Sequence, residues 1–303
     1  MITRDTDEFL CFARACPADF GPATAKAAFL VAPDGFALAE QSASDNRYMD
    51  LDLGTDVEIA LAEHRSLQSA LADTLPTICF PGLVDTPDGQ FPNNVFATAP
   101  GRLILGHMRH PVRQREAERA DIRGFFTGTL GYSEIDLRNQ AGICELTGSL
   151  VIDHARGLGF CGLSERCDEL GAAAMHAVFG LRATLLFDLA PGEYHSNVVL
   201  SVLAGRAVVV APDGFADAAV ATTILALYAP NAVRLSATEK AAFAGNCIAL
   251  SERDLWLSRA AATALQPAHR SVLEAAGFRL RSVALEEIEK AGGSLRCCVA
   301  EIF

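Results

Sequence analysis

Three side chains in this sequence, Cys297, His195 and Glu145, could together carry out covalent hydrolysis. A cysteine thiolate is a strong nucleophile, and a nearby imidazolium stabilises it. Histidine titrates near neutral pH, so it can protonate a leaving amine and then activate water. A carboxylate can hold a cationic nitrogen and relay protons. Taken singly, each residue has an ordinary explanation. His195 would be a satisfied structural histidine, Glu145 a surface carboxylate, Asn93 and Asn94 turn residues, and Cys297 and Cys298 packing thiols. Their spacing changes the balance. Asn94, Glu145, His195, Asn246 and Cys297 follow one another at intervals of 51, 50, 51 and 51 residues.

Each of these residues opens a similar stretch: Asn94-VFATAPGRLILGHM, Glu145-LTGSLVIDHARGLGFCGL, His195-SNVVLSVLAGRAVVVAP, Asn246-CIALSERDLWLSRAA and Cys297-CVAEIF. The first four read as a polar entry followed by a strand-turn-strand hairpin. Between the hairpins, Arg113 to Arg123, Ser164 to Gly180, Asp213 to Tyr228 and Ala260 to Ala276 have helical periodicity. A fifty-residue unit of hairpin, helix and connecting strand cannot bury its own apolar face, but it can pack beside copies of itself. The pattern predicts a closed ring of about five blades. The N-terminal Phe9-LCFA and Phe29-LVA stretches would complete the last, strand-poor unit. Equivalent positions then converge on one central channel, and residues 1–303 form a single α/β domain. If the lead residues start strands, Asn197 faces the same side as His195, and Cys298 faces away from Cys297. Gly292-Gly293-Ser294 gives the backbone room for close approach to a ligand.

Composition narrows the function. The formal net charge is -12, which makes a poor general binder of nucleic acid or anionic membrane. The dense basic stretch from Arg109 to Arg123 is interleaved with Glu116, Glu118 and Asp121 and reads as a solvated charged helix. No apolar run reaches the roughly 18 residues of a membrane helix, and the first residues lack an apolar signal core, so a soluble cytoplasmic protein is expected. Nine cysteines without a CxxC pair argue against a disulfide framework or a structural zinc site. Zinc on Cys, His and Glu, or a metal on His107 and His110, is the weaker reading, because no compact ligand motif supports it.

The stretches PDGQFPNNVF, ELTGSLVID, YHSNVVLSV, GNCIALS and EKAGGSLRCCVAEIF carry a resemblance to the amidinotransferase and arginine deiminase superfamily. That family's fold is a five-bladed α/β propeller. The match runs in family order from about Asp88 to Phe303, and Ser42-ASDNRYMD resembles an N-terminal substrate loop more weakly. Within the superfamily the chain looks most like the arginine deiminase-related branch, with its citrulline-utilisation hydrolases and arginine dihydrolases. The resemblance implies Cys297 as nucleophile, His195 as general acid/base and Glu145 as the carboxylate on the guanidine. It also implies Arg296 on a substrate carboxylate, with Asn93, Asn94, Asn197 and Asn246 among the substrate-binding positions. Asn94 and Asn197 stand where classical deiminases often have acidic residues. A neutral amide both donates and accepts hydrogen bonds, so it can also hold a neutral ureido group. The implied outcome is hydrolysis of arginine or citrulline to ornithine, ammonia and carbon dioxide, without metal or organic cofactor. The expected partner is a small guanidino or ureido amino acid, with neither nucleic acid nor membrane; assembly into a homo-oligomer is compatible with the sequence. A deiminase or amidinotransferase outcome is the alternative within the fold. A non-catalytic propeller that only binds is the alternative outside catalysis.

Overall fold

The computed structural model describes residues 1–303. Its strands form five small sheets, each built on an antiparallel pair followed by a parallel third strand, and one of them gains a fourth strand, Ile2–Thr3, parallel to Ala183–Asp188. Phe96–Ala99 pairs with Arg102–Leu105, and Ser133–Asp136 adds in parallel. The same order repeats in Leu150–Asp153, Leu158–Leu163 and Ala183–Asp188, in Leu200–Leu203, Ala207–Val210 and Ala232–Arg234, and in Ile248–Ala249, Asp254–Ser258 and Arg279–Val283. The fifth sheet joins the two chain ends: Ala300–Ile302 pairs antiparallel with Ala27–Val31, and Thr77–Phe80 lies parallel beyond it.

Local chemistry explains the recurrence. Three hairpins turn on a glycine with positive φ, Gly101 (70°), Gly157 (70°) and Gly205 (64°), a conformation that costs glycine little. Helices then return the chain to the third strand. Glu169–Phe179 begins at Asp168, whose carboxylate accepts from the Gly171 amide, and ends at Gly180. Ala218–Tyr228 is capped by Asp217 in the same way. The buried strands are apolar on both faces, as in Ala207–Val210, where every residue is buried. The largest core cluster runs from Phe9 and Phe160 through Val198, Val208 and Leu255.

Two expectations change. Phe9-LCFA is not a strand but part of the helix Thr6–Ala15, started by Asp5 and packed through Phe9 on Phe160. Only the Phe29 stretch completes the last unit. The Arg113–Arg123 stretch is not one solvated helix. It breaks into Pro111–Gln114, Arg115–Glu118 and Ala120–Gly124. Arg113 and Glu116 are both buried and paired at 2.6 Å, because the segment turns its charges inward. No helix is long and apolar enough to cross a membrane.

Hydrogen bonds pass from unit to unit at the lead positions. Asn93 Nδ2 donates to the Arg296 carbonyl (3.2 Å), Thr147 Oγ1 to that of Asn93 (3.0 Å), and Asn197 Nδ2 to that of Thr147 (3.1 Å). Asn246 Nδ2 donates to the Asn197 carbonyl (2.8 Å), and the Arg296 amide returns to Asn246 Oδ1 (3.0 Å). The five links form a closed cycle.

Candidate active site

The lead residues do not begin strands. Four of them sit on or just before single helical turns: Pro92–Asn94, Leu146–Ser149 after Glu145, Ser196–Val199 after His195, and Leu295–Cys298 around Cys297. Each turn is closed by a backbone bond, such as the Cys297 amide to the Ser294 carbonyl at 3.0 Å. Successive residues on such a turn are rotated by roughly 100°, so alternation does not decide which side chains face the site. Asn197 follows His195 on a helical turn rather than a strand, with its Nδ2 on the Thr147 carbonyl and its Oδ1 3.7 Å from the Cys297 sulfur. Cys298 is buried in a cluster with Leu295, Trp256 and Ile288.

Cys297 and Asn94 line one small enclosed cavity, together with Asp88, Arg113, Arg166 and Tyr194. His195 adjoins it through Asn94. A Cβ placed on Gly148 would stand 2.8 Å from Asn94 Oδ1 and 2.8 Å from His195 Nδ1, which shows how closely both groups crowd that glycine. His195 Nε2 hydrogen-bonds Glu145 Oε2 at 2.8 Å. Its Nδ1, like Asn94 Oδ1, is buried without a partner. The carboxylate of Glu145 also accepts from Arg166 Nη1 (3.2 Å) and from the Arg109 amide (3.2 Å). Burial would raise the Glu145 carboxyl, but the Arg166 charge and the His195 hydrogen bond outweigh it and hold the group below the usual carboxylate range. Burial lowers the His195 imidazole despite the attraction of Glu145, and burial pushes the Cys297 thiol up. The resting site therefore holds a neutral thiol, a neutral imidazole and an ionised carboxylate. It has one free imidazole nitrogen and one free amide oxygen for a ligand.

The other expected residues do not line this cavity. Asn197 and Asn246 lie against the Cys297 sulfur, at 3.7 Å (Asn197 Oδ1) and 3.3 Å (Asn246 Nδ2). Asn93 Nδ2 is spent on the cycle of links between units, while its Oδ1, like that of Asn94, is buried without a partner. Arg296 corrects the resemblance most clearly. It precedes Cys297, yet its guanidinium pairs with Glu301 at 2.9 Å and donates to the Val299 carbonyl, and it lines a different cavity with His154 and Cys247. The helical turn sends neighbouring side chains to different sides. Arg296→Gln should therefore leave KM unchanged while costing about 1–3 kcal/mol, since Glu301 loses its charge partner. Thermal melting alongside initial-rate kinetics checks this; a large rise in KM with an unchanged melting point would restore Arg296 to the site. His107 and His110 do not meet. The first bonds the Gly142 carbonyl, the second Asp45.

Sequence reasoning missed the cations that do face the cavity. Arg166 is buried and bridges two carboxylates, donating from Nε to both Asp45 oxygens (2.9 Å and 3.0 Å) and from Nη1 to Glu145 (3.2 Å). Its position just past an apolar hairpin, in Ser-Glu-Arg, was the available signal, although an arginine there also reads as surface. The Ser42–Asp50 stretch does reach the site: Ser42 Oγ donates to Asp88 (2.5 Å) and Asn46 Nδ2 to the Gly292 carbonyl (3.5 Å). Gly292, at φ 73°, leaves room for Asn46 rather than for a ligand, since a Cβ there would meet Asn46 Nδ2 at 2.4 Å.

The fold has close counterparts among solved structures. A cysteine-to-serine variant of the N-terminal domain of ArgZ, an arginine dihydrolase from the ornithine-ammonia cycle in cyanobacteria, was solved bound to substrate. It superposes with a TM-score of 0.79 at 18% identity, covering 91% of this chain and 97% of that one. A dimethylarginine dimethylaminohydrolase variant, solved as an adduct with S-methyl-L-thiocitrulline, superposes at 0.70 with 19% identity, covering 92% of this chain and 100% of that one. The mixed α/β fold is thus that of ArgZ and of the dimethylarginine dimethylaminohydrolase. Among curated proteins, the N(G),N(G)-dimethylarginine dimethylaminohydrolase of Mycobacterium tuberculosis is 29% identical over 301 residues, 98% of this chain and 92% of its own. Residues 32–303 match the family described as N,N dimethylarginine dimethylhydrolase, eukaryotic. The chain belongs to that family of hydrolases acting on guanidino C–N bonds.

Proposed function

We propose that this chain hydrolyses the guanidino carbon of an arginine-like amino acid through a covalent bond to Cys297, and then the ureido carbon of the product. The observation that carries the reading is the cavity itself, which Cys297 lines together with an uncharged Asn94 whose free oxygen crowds Gly148 alongside the His195 ring of the His195–Glu145 pair. The cycle of hydrogen bonds joining the five units supports a closed five-bladed α/β propeller whose central channel holds this cavity.

Arg113 and Arg166 offer positive charge to a substrate carboxylate, and Asp88 offers negative charge to an amine. An entering guanidinium brings a positive charge beside the thiol and favours the thiolate; His195 takes the proton at Nδ1. The sulfur adds to the guanidino carbon, His195 returns the proton to the departing amine, and a thiouronium remains on Cys297. Water, deprotonated by His195, displaces the sulfur and leaves a ureido group. In the second round the sulfur adds to the ureido carbon and ammonia leaves. Hydrolysis of the resulting thiocarbamate gives a carbamate, which loses carbon dioxide to release ornithine.

A second reading is favoured by the family match over residues 32–303: the substrate is an N-methylated arginine, methylamine or dimethylamine leaves, and citrulline is the final product. Phe91 and Met49 in the cavity lining suit methyl groups. Incubation with arginine, citrulline and asymmetric dimethylarginine, with ornithine, citrulline, ammonia and dimethylamine quantified, separates the two. Two ammonia and one ornithine per arginine are expected. Dimethylamine with citrulline, and no ornithine from any substrate, selects the second reading. Release of neither amine from all three compounds would overturn both.

A further inference from the structure

We infer that Asn246 is the positioning residue of the nucleophile, holding the Cys297 sulfur and its backbone in one grip and favouring the thiolate over the thiol. The inference rests on Cys297 being the nucleophile. Asn246 is fully buried, and it does not line the cavity that Cys297 borders. All its polar atoms are engaged by protein. Oδ1 accepts from two backbone amides, Arg296 at 3.0 Å and Cys297 at 3.4 Å. Those two donors fix the orientation of the amide, since an NH2 group cannot accept from them. The NH2 group must then face the Asn197 carbonyl at 2.8 Å and the Cys297 sulfur at 3.3 Å. A substrate finds no free atom on this side chain, so the expectation that Asn246 binds substrate gives way to a different role.

The second amide at the sulfur works in the other direction. Asn197 Nδ2 is held by the Thr147 carbonyl at 3.1 Å, which turns Oδ1 toward the sulfur at 3.7 Å. A thiol can donate its proton to Asn197 and accept from Asn246; a thiolate keeps only the bond from Asn246. A hydrogen bond donated to the charged form stabilises that form. The two asparagines thus oppose each other across the sulfur, and Asn246 is the one that lowers the barrier to ionisation. Both belong to the cycle of links between units, so the geometry at the sulfur is fixed by the same bonds that join neighbouring units.

Asn246→Asp tests this at constant shape. The variant keeps an oxygen for the Arg296 and Cys297 amides but sets an anion, instead of an N–H donor, against the sulfur. The readout is the rate of Cys297 alkylation by iodoacetamide from about pH 6 to pH 10, followed on the Cys297 peptide by mass so that exposed Cys11 does not interfere. The profile should move up by a pH unit or more, with the rate near pH 8 falling about tenfold or more. In turnover, kcat should fall while KM changes little. Asn246→Ala, which loses the donor without adding charge, should shift the profile in the same direction by less, and it decides the matter if the Asp variant does not fold. A folded variant with the wild-type profile would make Asn246 a purely structural residue and overturn the inference. The alkylation profile needs no turnover. If Cys297→Ser retained full activity, the nucleophile reading would fall, while the effect of Asn246 on the thiol would still be measured by itself.

Discussion

Cys297→Ser should fold like the parent protein and lose turnover by about 10⁴-fold or more in kcat. The exchange of sulfur for oxygen barely changes volume, so the buried turn Leu295–Cys298 keeps its packing and its bond to Ser294. The chemistry changes completely. A hydroxyl ionises far above a thiol, and no positive charge is bonded to this atom to make up the difference. Cys298→Ala is the informative partner. Cys298 is buried among Leu295, Trp256 and Ile288, away from the cavity, and burial pushes its thiol well up. Removing its sulfur should cost about 1 kcal/mol of stability through a small void and leave most of the activity. Initial rates and thermal melts on both variants check the pair. An active Cys297→Ser beside a dead Cys298→Ala would show that the register of this turn has been misread by one residue.

Asn94→Asp should change what the enzyme releases rather than only how fast. Asn94 is buried, its Oδ1 has no partner, and it shares the cavity with Cys297. A carboxylate there suits a cationic guanidinium, but it meets a neutral ureido group without the charge that offsets its own desolvation. It also stands close to His195 over Gly148, and a nearby anion raises an imidazole's affinity for protons. Both effects favour the first hydrolysis over the second. The ratio of citrulline to ornithine formed from arginine should rise about tenfold or more, which needs only about 1.4 kcal/mol between the two rounds. Chromatographic quantification of citrulline, ornithine and ammonia from wild type and variant measures it. A wild-type enzyme that already stops at citrulline would remove the two-round reading.

Much of this site was legible in the sequence because the repeat carries it. Residues some fifty positions apart were expected to converge, and Asn94 and Cys297 do share a cavity, with His195 and Glu145 bonded beside it. The four hairpins were likewise readable, since apolar strands recur with the same period and three of the turns carry a glycine. What failed was local direction. Strand alternation was assumed at the lead residues, and the chain forms single helical turns there. Arg296, next to the nucleophile in sequence, therefore points to Glu301 in a separate cavity. Of the cations that do line the site, Arg166 belongs to long-range contacts with Asp45 and Glu145, while Arg113 pairs locally with Glu116 three residues on. Arg113 and Glu116 looked like part of a solvated charge run. Burial of a charged pair depends on what packs over it, and period alone carries no information about that.

The central claim is the covalent bond to Cys297, and trapping it is the most direct test. His195→Gly removes the group that releases the amine and activates water while leaving the sulfur in place. The variant, mixed with S-methyl-L-thiocitrulline, whose methanethiolate leaves without the acid that an amine needs, then quenched in acid and digested, should show the Cys297 peptide heavier by the substrate-derived thiouronium, with Cys298 unmodified. An unmodified Cys297 peptide in every quenched sample, from a preparation whose wild type turns the same substrate over, would contradict covalent catalysis by this residue.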